Sequence, residues 1–296
     1  MNILSSVSSF GFLTLVSRIL GYFRDILIAI FLGTSFLADA FFVAFRLPNT
    51  FRRLFAEGSF NSAFVPQYAK LDAQKKSFDF ANSVFNSLTF ILLILICVAE
   101  IFMGGVIYII SPGFTDNLEK YNLAVSLSRI IFPFLLFVSL SSFYSAILNT
   151  KGKFAVPAAA PIILNLLLIG SIFYANFFDK DLVVYMAWSV TIAGFLQLIM
   201  LFFYTKKYFK PNMRFNLTIS PEVKFFFKRL LPSVFSSGVM QINILVGTII
   251  ASFQTSAVSY LYYADRIYQL PLAITGIAIG TVILPTLSKE IFQNKD

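Results

Sequence analysis

The chain has 296 residues, of which 58% are hydrophobic and only 12% are charged. Soluble domains carry about 25% charged residues, so this composition excludes an ordinary water-exposed surface and indicates a membrane protein. The formal net charge is +9, from 23 lysines and arginines against 14 acidic residues, and histidine is absent. The commonest general base and the commonest zinc ligand are therefore both missing.

Apolar runs of about 20 residues, the length that crosses a bilayer core of about 30 Å, recur along the chain. They predict an all-α polytopic membrane protein with spans at 7–32, 36–60, 80–110, 122–148, 155–178, 182–205, 228–252 and 257–287. The first run has no basic segment before it and no small-residue cleavage site after it. We therefore expect a retained span there and not a signal peptide.

Lysine and arginine are distributed unevenly between the predicted loops. An even number of spans places both termini on one side, where the loops hold 14 of these residues, whereas the opposite loops hold only Lys120 and Lys180. Basic loops remain on the cytoplasmic side, so we expect both termini of this chain to be cytoplasmic. The same loops account for most of the net charge, and no nucleic-acid partner is expected.

One long connector divides the predicted spans. Residues 206–227 mix basic residues with phenylalanine, as an interfacial amphipathic helix does. We predict a six-span N-terminal lobe over 1–205, a cytoplasmic amphipathic linker over 206–227, and the first two spans of a truncated second lobe over 228–296.

An internal repeat supports two lobes. Residues 38–70 and 259–289 each contain an arginine shortly before Leu-Pro, then a second proline followed four residues later by lysine. Six spans separate the copies, so both would cross the membrane in the same direction. Parallel repeats build transporters whose site lies between two lobes. The alternative is chance similarity among helices rich in Phe, Leu and Ala.

Charged residues inside the spans are mainly arginines. They are Arg18, Arg24, Arg46, Arg52, Arg53, Arg129 and Arg266, with Asp25, Asp39, Glu57 and Asp265 as acidic companions. An arginine at the bilayer centre costs about 2.5–3.5 kcal/mol, so such residues usually face a cavity or a partner. The planar guanidinium matches two phosphate oxygens at once. Several arginines with fewer carboxylates therefore predict a site for a phosphate or pyrophosphate.

The alternative for each arginine is that it extends from a helix end to lipid headgroups. That interpretation is favoured for Arg46 and Arg129. For Arg52 and Arg53 the headgroup and the cavity interpretations both remain open. Their depth in the spans favours a cavity for the other three. Asp25 and Asp39 are expected to orient the arginines, while Glu100 has no expected partner.

Several segments resemble one known family, the MurJ (MviN) family of lipid II flippases. They are SRILGYFRDILIA, ADAFFVAFRLPNTFRRLFAEGSFNSAFVP, AILNTKGKF and YYADRIYQLP, and they follow the family order through essentially the whole chain. The resemblance implies a MATE-like two-lobe fold around a cationic cavity in the bacterial inner membrane. It implies that an undecaprenyl-pyrophosphate-linked peptidoglycan precursor is moved from the cytoplasmic to the periplasmic leaflet by alternating access.

The resemblance also implies particular site residues. Substrate-binding arginines fall on Arg18, Arg24, Arg52, Arg53 and Arg266, and supporting acidic positions on Asp25, Asp39 and Glu57. A sodium site of the family uses spans absent from this chain and is not carried over, so no catalytic residue, metal or cofactor is predicted here. The resemblance suggests the cell-wall synthesis machinery as a partner besides membrane lipids. Family members are longer, so this chain corresponds to their N-terminal portion, either as a fragment or with a partner chain that supplies the remainder.

Two other functions compete with a flippase. A MATE-type drug or cation antiporter, or another polysaccharide-lipid exporter, would share the fold, but exporters of cations tend to use buried carboxylates, and arginines dominate here. A membrane enzyme acting on a polyprenyl phosphate would need a metal site. Asp25, Asp39 and Glu57 could in principle hold Mg²⁺, but the neighbouring arginines would repel it.

The predicted orientation can be tested by cysteine labelling. Single cysteines introduced near Asp116 and Asp179 should react with a membrane-impermeant maleimide added from the periplasm, and those near Lys75 and Lys151 should not. The reverse pattern would contradict the topology.

Overall fold

The computed structural model describes residues 3–54, 60–212 and 221–269, and these ranges are helical without β-strands. The helices are α1 (Ile3–Leu32), α2 (Phe36–Leu54), α3 (Phe60–Ala73), α4 (Ser77–Ile101), α5 (Met103–Ile110), α6 (Leu118–Ile131), α7 (Phe134–Thr150), α8 (Ala155–Phe177), α9 (Leu182–Thr205) and α10 (Pro221–Ser252). Residues 257–269 form a further helix, α11. A 3-10 helix, Pro112–Asp116, joins α5 to α6.

The all-α membrane architecture is confirmed. Four stretches of the described chain are long and apolar enough to span a bilayer: Ser77–Ile101, Leu118–Thr150, Ala155–Phe177 and Leu182–Thr205. Large apolar side chains such as Ile101, Ile109 and Phe177 are 70% or more exposed, as expected for surfaces that contact lipid. Composition therefore predicted the fold class correctly.

Several predicted spans differ from the helices in detail. The span predicted at 80–110 is two helices that meet at Phe102, and the one at 122–148 bends at Pro133, which has no N–H to continue the helical hydrogen bonds. Helix α10 begins at Pro221, seven residues before its predicted span and inside the predicted linker. The ends of the spans predicted at 36–60 and 257–287 lie outside the described residues.

A cluster of buried phenylalanines joins α10 to the helices that precede the linker. The ring of Phe64 in α3 lies 5.3 Å from that of Phe143 in α7 and 6.1 Å from that of Phe226 in α10, both edge to face. All three side chains are fully buried. Such edge-to-face pairs stabilise packing beyond the area that they bury, so the first turns of α10 are fixed against α3.

Two tight turns agree with the internal repeat. Gly33, between α1 and α2, and Ser256, between α10 and α11, both have a left-handed backbone, with φ of 56° and 60°. This conformation is uncommon for residues other than glycine. The two turns are 223 residues apart, the same separation as Pro48 and Pro271 in the repeated sequence. Each repeat therefore contains a long helix, a left-handed turn and a second helix, while the division into lobes stays a prediction.

Candidate charged site between α1 and α11

A buried carboxylate of α1 is shared by two arginines from distant parts of the chain. Arg24 donates from Nη2 and Nε to Asp25 Oδ1, at 2.7 and 3.0 Å. From α11, Arg266 Nε lies 3.1 Å from Asp25 Oδ2, an ion-pair distance. Arg24 and Asp25 are only 7% and 6% exposed. Among these three side chains one negative charge faces two positive charges, which leaves an excess of one positive charge. The next acidic group, Asp265, is exposed and, in the described part of the chain, is joined to Arg266 only through Gln269.

Neighbouring polar groups fix the Arg24 side of the cluster. Asn165 of α8 accepts a hydrogen bond from Arg24 Nη1 at 2.8 Å, and its own Nδ2 donates to the Ser17 carbonyl at 2.9 Å. Gly21 lies beside Asn165, where an added Cβ would be 3.5 Å from Nδ2, an ordinary contact distance. The guanidinium of Arg24 is therefore held between α1 and α8.

Aromatic residues fix the Arg266 side. The Tyr262 hydroxyl donates to Asp25 Oδ1 at 3.1 Å and accepts from Arg266 Nη2 at 3.2 Å. The Tyr262 ring stacks on Phe42 of α2 with centroids 3.9 Å apart, and the Arg266 guanidinium lies 4.9 Å from the same ring. The cation–π contact and the hydroxyl together orient Arg266, so both guanidinium groups are preorganised.

The excess charge determines what this cluster can bind. In surroundings of low polarity a positive charge without a counter-ion is costly, and an anion would remove that cost. Guanidinium groups donate hydrogen bonds in a planar fork that matches phosphate oxygens. The cluster is therefore suited to bind an anionic headgroup, and less suited to bind a cation.

The other predicted substrate residues are placed as follows. Arg18 is exposed on α1, and within the described residues no hydrogen bond or ion pair joins it to the cluster. Arg52 is half-buried and donates from Nε to Asn49 Oδ1 at 3.0 Å. Arg53 belongs to α2, but its side chain lies outside the description, as does the whole of Glu57. A cavity shared by all five arginines stays a prediction.

Asp39 differs from its expected role of orienting an arginine. It is fully buried, and its Oδ2 lies 2.6 Å from Lys120 Nζ. Its Oδ1 accepts from the Ser259 backbone N–H at 2.8 Å and also from the Ser259 hydroxyl. Lys120 was predicted to be a loop residue, but it lies in the first turn of α6, is only 7% exposed and contacts the Phe114 ring at 4.0 Å. Asp39 thus pairs with a lysine and caps the N-terminus of α11.

The end of α10 and the first half of α11 make two further contacts near this cap. The Gly113 N–H of the 3-10 helix donates to Ser252 Oγ at 3.1 Å, and the Tyr263 hydroxyl donates to the Gly33 carbonyl at 2.8 Å. A side chain at Gly113 would collide with the backbone at the end of α10, at Ser252 and Phe253. We call these two contacts and the Asp39–Ser259 cap the latch. The latch holds the end of α10 against the 3-10 helix and holds α11 against the first repeat.

Two other charged residues also differ from expectation. Arg46 was expected to reach lipid headgroups, but its Nη1 donates to the Ile244 carbonyl at 3.2 Å and to the Thr248 hydroxyl. It therefore joins α2 to α10. Glu100 has a buried Oε1 that accepts no hydrogen bond within the described part of the chain, and the structure adds no role for it.

Comparisons with known proteins concern the chain as a whole. Residues 28–296 match the family model described as lipid II flippase MurJ. A probable lipid II flippase MurJ of Rhizobium tropici is 41% identical over 98% of this chain, and a lipid II flippase MurJ of Burkholderia cenocepacia is 36% identical over 98%. The chain spans only 56% and 58% of the length of these two relatives.

Solved structures give the same result. A lipid II flippase MurJ in an inward closed conformation superposes with a TM-score of 0.82 at 32% identity, over 95% of this chain and 58% of that protein. A MOP-superfamily transporter from Pyrococcus furiosus gives 0.65 at 17% identity, over 91% of this chain and 61% of the other. The second likeness concerns the fold alone.

The shared carboxylate can be tested by its effect on stability. Asp25→Asn leaves the buried Arg24 guanidinium and the half-buried Arg266 guanidinium without their counter-ion, which should destabilise the protein by about 3–5 kcal/mol. The measurement is thermal unfolding of the purified protein in detergent, followed by circular dichroism. Asp265→Asn, at an exposed acidic residue of the same helix as Arg266, is the control and should change little. Equal effects of the two substitutions would contradict the shared ion pair.

Proposed function

The chain belongs to the MurJ family of lipid II flippases, and we propose that it carries an undecaprenyl-pyrophosphate-linked peptidoglycan precursor from the cytoplasmic to the periplasmic leaflet by alternating access. The observation that supports this most directly is the excess positive charge of the Arg24–Asp25–Arg266 cluster. Its arginines come from both repeats, and a transporter whose site lies between two lobes needs contacts from both.

The proposed substrate group is the pyrophosphate. Arg24 and Arg266 would bind it, joined by Arg18, Arg52 and Arg53 from the first repeat, while Asp25, Asp39 and Glu57 support the arginines. Two negative charges leaving a cell that is negative inside gain roughly 4–5 kcal/mol per 100 mV. The arginines therefore need only offset the desolvation of the headgroup while it crosses.

The proposed setting is the bacterial inner membrane, with both termini of this chain in the cytoplasm. The basic loops support this orientation. It would place the latch at the periplasmic end of the helices, since α1 leads from the cytoplasmic N-terminus to Gly33. The latched arrangement is then closed toward the periplasm. A partner among the cell-wall synthesis enzymes is part of the same proposal.

Ion pairing distinguishes this proposal from a cation antiporter. A carboxylate that carries a cation must be available to it, but Asp25 is held by two arginines and Asp39 by Lys120. Each carboxylate is already balanced by at least one fixed positive charge, and that charge would repel an incoming cation. The buried acidic groups described here therefore favour anion transport.

Arg266 offers the most direct test of transport. Arg266→Ala in the complete gene product should lower the rate of precursor flipping in proteoliposomes at least tenfold, because the second repeat loses its guanidinium. Arg266→Lys should restore little, since an ammonium cannot make the bidentate contact. Arg129→Lys is the matched control outside the cluster and should retain activity. Full activity of Arg266→Ala would contradict the proposed site.

The latch makes a separate prediction about access. In a Cys97→Ser background, Val258→Cys introduces a thiol at a fully buried position beside the latch. Adding Gly113→Val should raise the rate of maleimide labelling at this thiol about tenfold or more, because the new side chain pushes the α10–α11 turn away. Gly105→Val is the control, since an added Cβ there meets nothing within 4 Å. Unchanged labelling in the Gly113 variant would show that the latch does not limit access.

A further inference from the structure

A cavity with charged residues in its lining lies away from the charged cluster, between α3 and the first turns of α10. Its volume is about 590 Å³, within the range of about 300–1,000 Å³ typical of small-molecule sites. Its charged lining residues are Lys70 from α3 and Arg229 and Glu222 from α10. The lining therefore has an excess of one positive charge, which favours a ligand with one negative charge.

Two features of the cavity indicate how an anion would be held. The Arg229 guanidinium lies over the Phe225 ring, 4.6 Å from its centroid. A guanidinium held over an aromatic ring keeps the N–H groups at its edge available, and two of them can donate hydrogen bonds to one phosphate. Lys70, on the opposite wall, is exposed and adds a flexible ammonium. A phosphate diester fits this pair of cations.

Gln67 joins the two walls of the cavity. Its Nε2 donates to the Glu222 carbonyl at 2.7 Å. Its Oε1 is buried and accepts no hydrogen bond within the described ranges, so a ligand in the cavity would not reach it. Gln67 therefore holds α3 and α10 together, and the two cations are the groups that would bind the ligand.

The position of the cavity favours a lipid over a soluble anion. Helix α10 continues from it into an apolar surface, where Phe235 and Val239 are 73% and 66% exposed. Phe225, in the cavity wall, is itself 46% exposed. A ligand with a polar head in the cavity could therefore lay its acyl chains along α10, as lipids do beside a basic interfacial helix.

We propose that the cavity between α3 and α10 binds the headgroup of an anionic glycerophospholipid of the cytoplasmic leaflet, with its phosphate at Lys70 and Arg229. Phosphatidylglycerol, with one negative charge, has this chemistry. The bound lipid would bridge α3 and α10 and stabilise their contact. The assignment to the cytoplasmic leaflet rests on the orientation given in the proposed function, whereas lipid binding itself does not depend on transport.

Native mass spectrometry of the purified chain in detergent tests the proposal. Added phosphatidylglycerol should remain bound, and phosphatidylethanolamine should not. The double substitution Lys70→Gln with Arg229→Gln should weaken phosphatidylglycerol binding by about 30-fold, from roughly fivefold for each basic residue near a membrane surface. The matched control is Lys224→Gln with Lys228→Gln, which removes the same charge from exposed positions of α10 and should change binding little.

Three results would overturn the proposal. Equal losses in both double variants would indicate a diffuse basic surface, and equal binding of the two phospholipids would exclude the headgroup assignment. Displacement of phosphatidylglycerol by undecaprenyl pyrophosphate would assign the cavity to the transport substrate instead. The charge-preserving pair Lys70→Arg with Arg229→Lys checks folding and should retain binding. If flipping fails while this binding pattern holds, only the proposed transport function is refuted.

Discussion

The rest of the structure depends on the carboxylate of Asp25. It is buried, and two guanidinium groups whose residues are 242 positions apart in sequence both pair with it. Removing ionised groups from water costs several kcal/mol each, and the ion pair offsets this cost only where the charged groups are well aligned and further hydrogen-bonded. Asn165, Tyr262 and the stacked ring of Phe42 supply that geometry from three other helices. One carboxylate thus determines how α1, α8 and α11 meet.

A second buried carboxylate, Asp39, has a different electrostatic balance. Lys120 neutralises it, and its remaining oxygen caps α11, so this cluster carries no excess charge for a ligand. The Asp25 cluster keeps one positive charge in excess. Two acidic residues of the same repeat therefore differ in electrostatic balance, because one has a single cation as partner and the other has two. In the proposed function this difference in charge, more than position in the fold, separates a structural contact from a binding site.

Depth in the apolar runs predicted a cavity for Arg18, Arg24 and Arg266. Arg24 and Arg266 do pair with Asp25, whereas Arg18 is exposed, so depth alone did not separate the paired arginines from the exposed one. It could not predict the Asp39–Lys120 pair, because periodicity reports the face on which a residue lies and not its partner 81 residues away. Lys120 was assigned to a loop since it precedes the apolar run, yet its first-turn position on α6 lets the long side chain reach inward. The breaks at Phe102 and Pro133 were missed for a related reason, since hydropathy does not register a local change of direction.

Helix α11 is held at two points that respond differently to an anion. Ser259 and Arg266 are seven residues apart, about 10 Å along the helix. An anion at the cluster competes with Asp25 for Arg266 and weakens that contact by Coulomb's law, whereas the Asp39 cap is already neutralised by Lys120 and is little affected. We infer that substrate binding loosens α11 at Arg266 first, with the latch still closed. Faster labelling of a thiol at Val258 on precursor binding alone would contradict this order. In the proposed transport cycle, opening of the latch would then need a second event, which would keep the site from being accessible from both sides of the membrane at once.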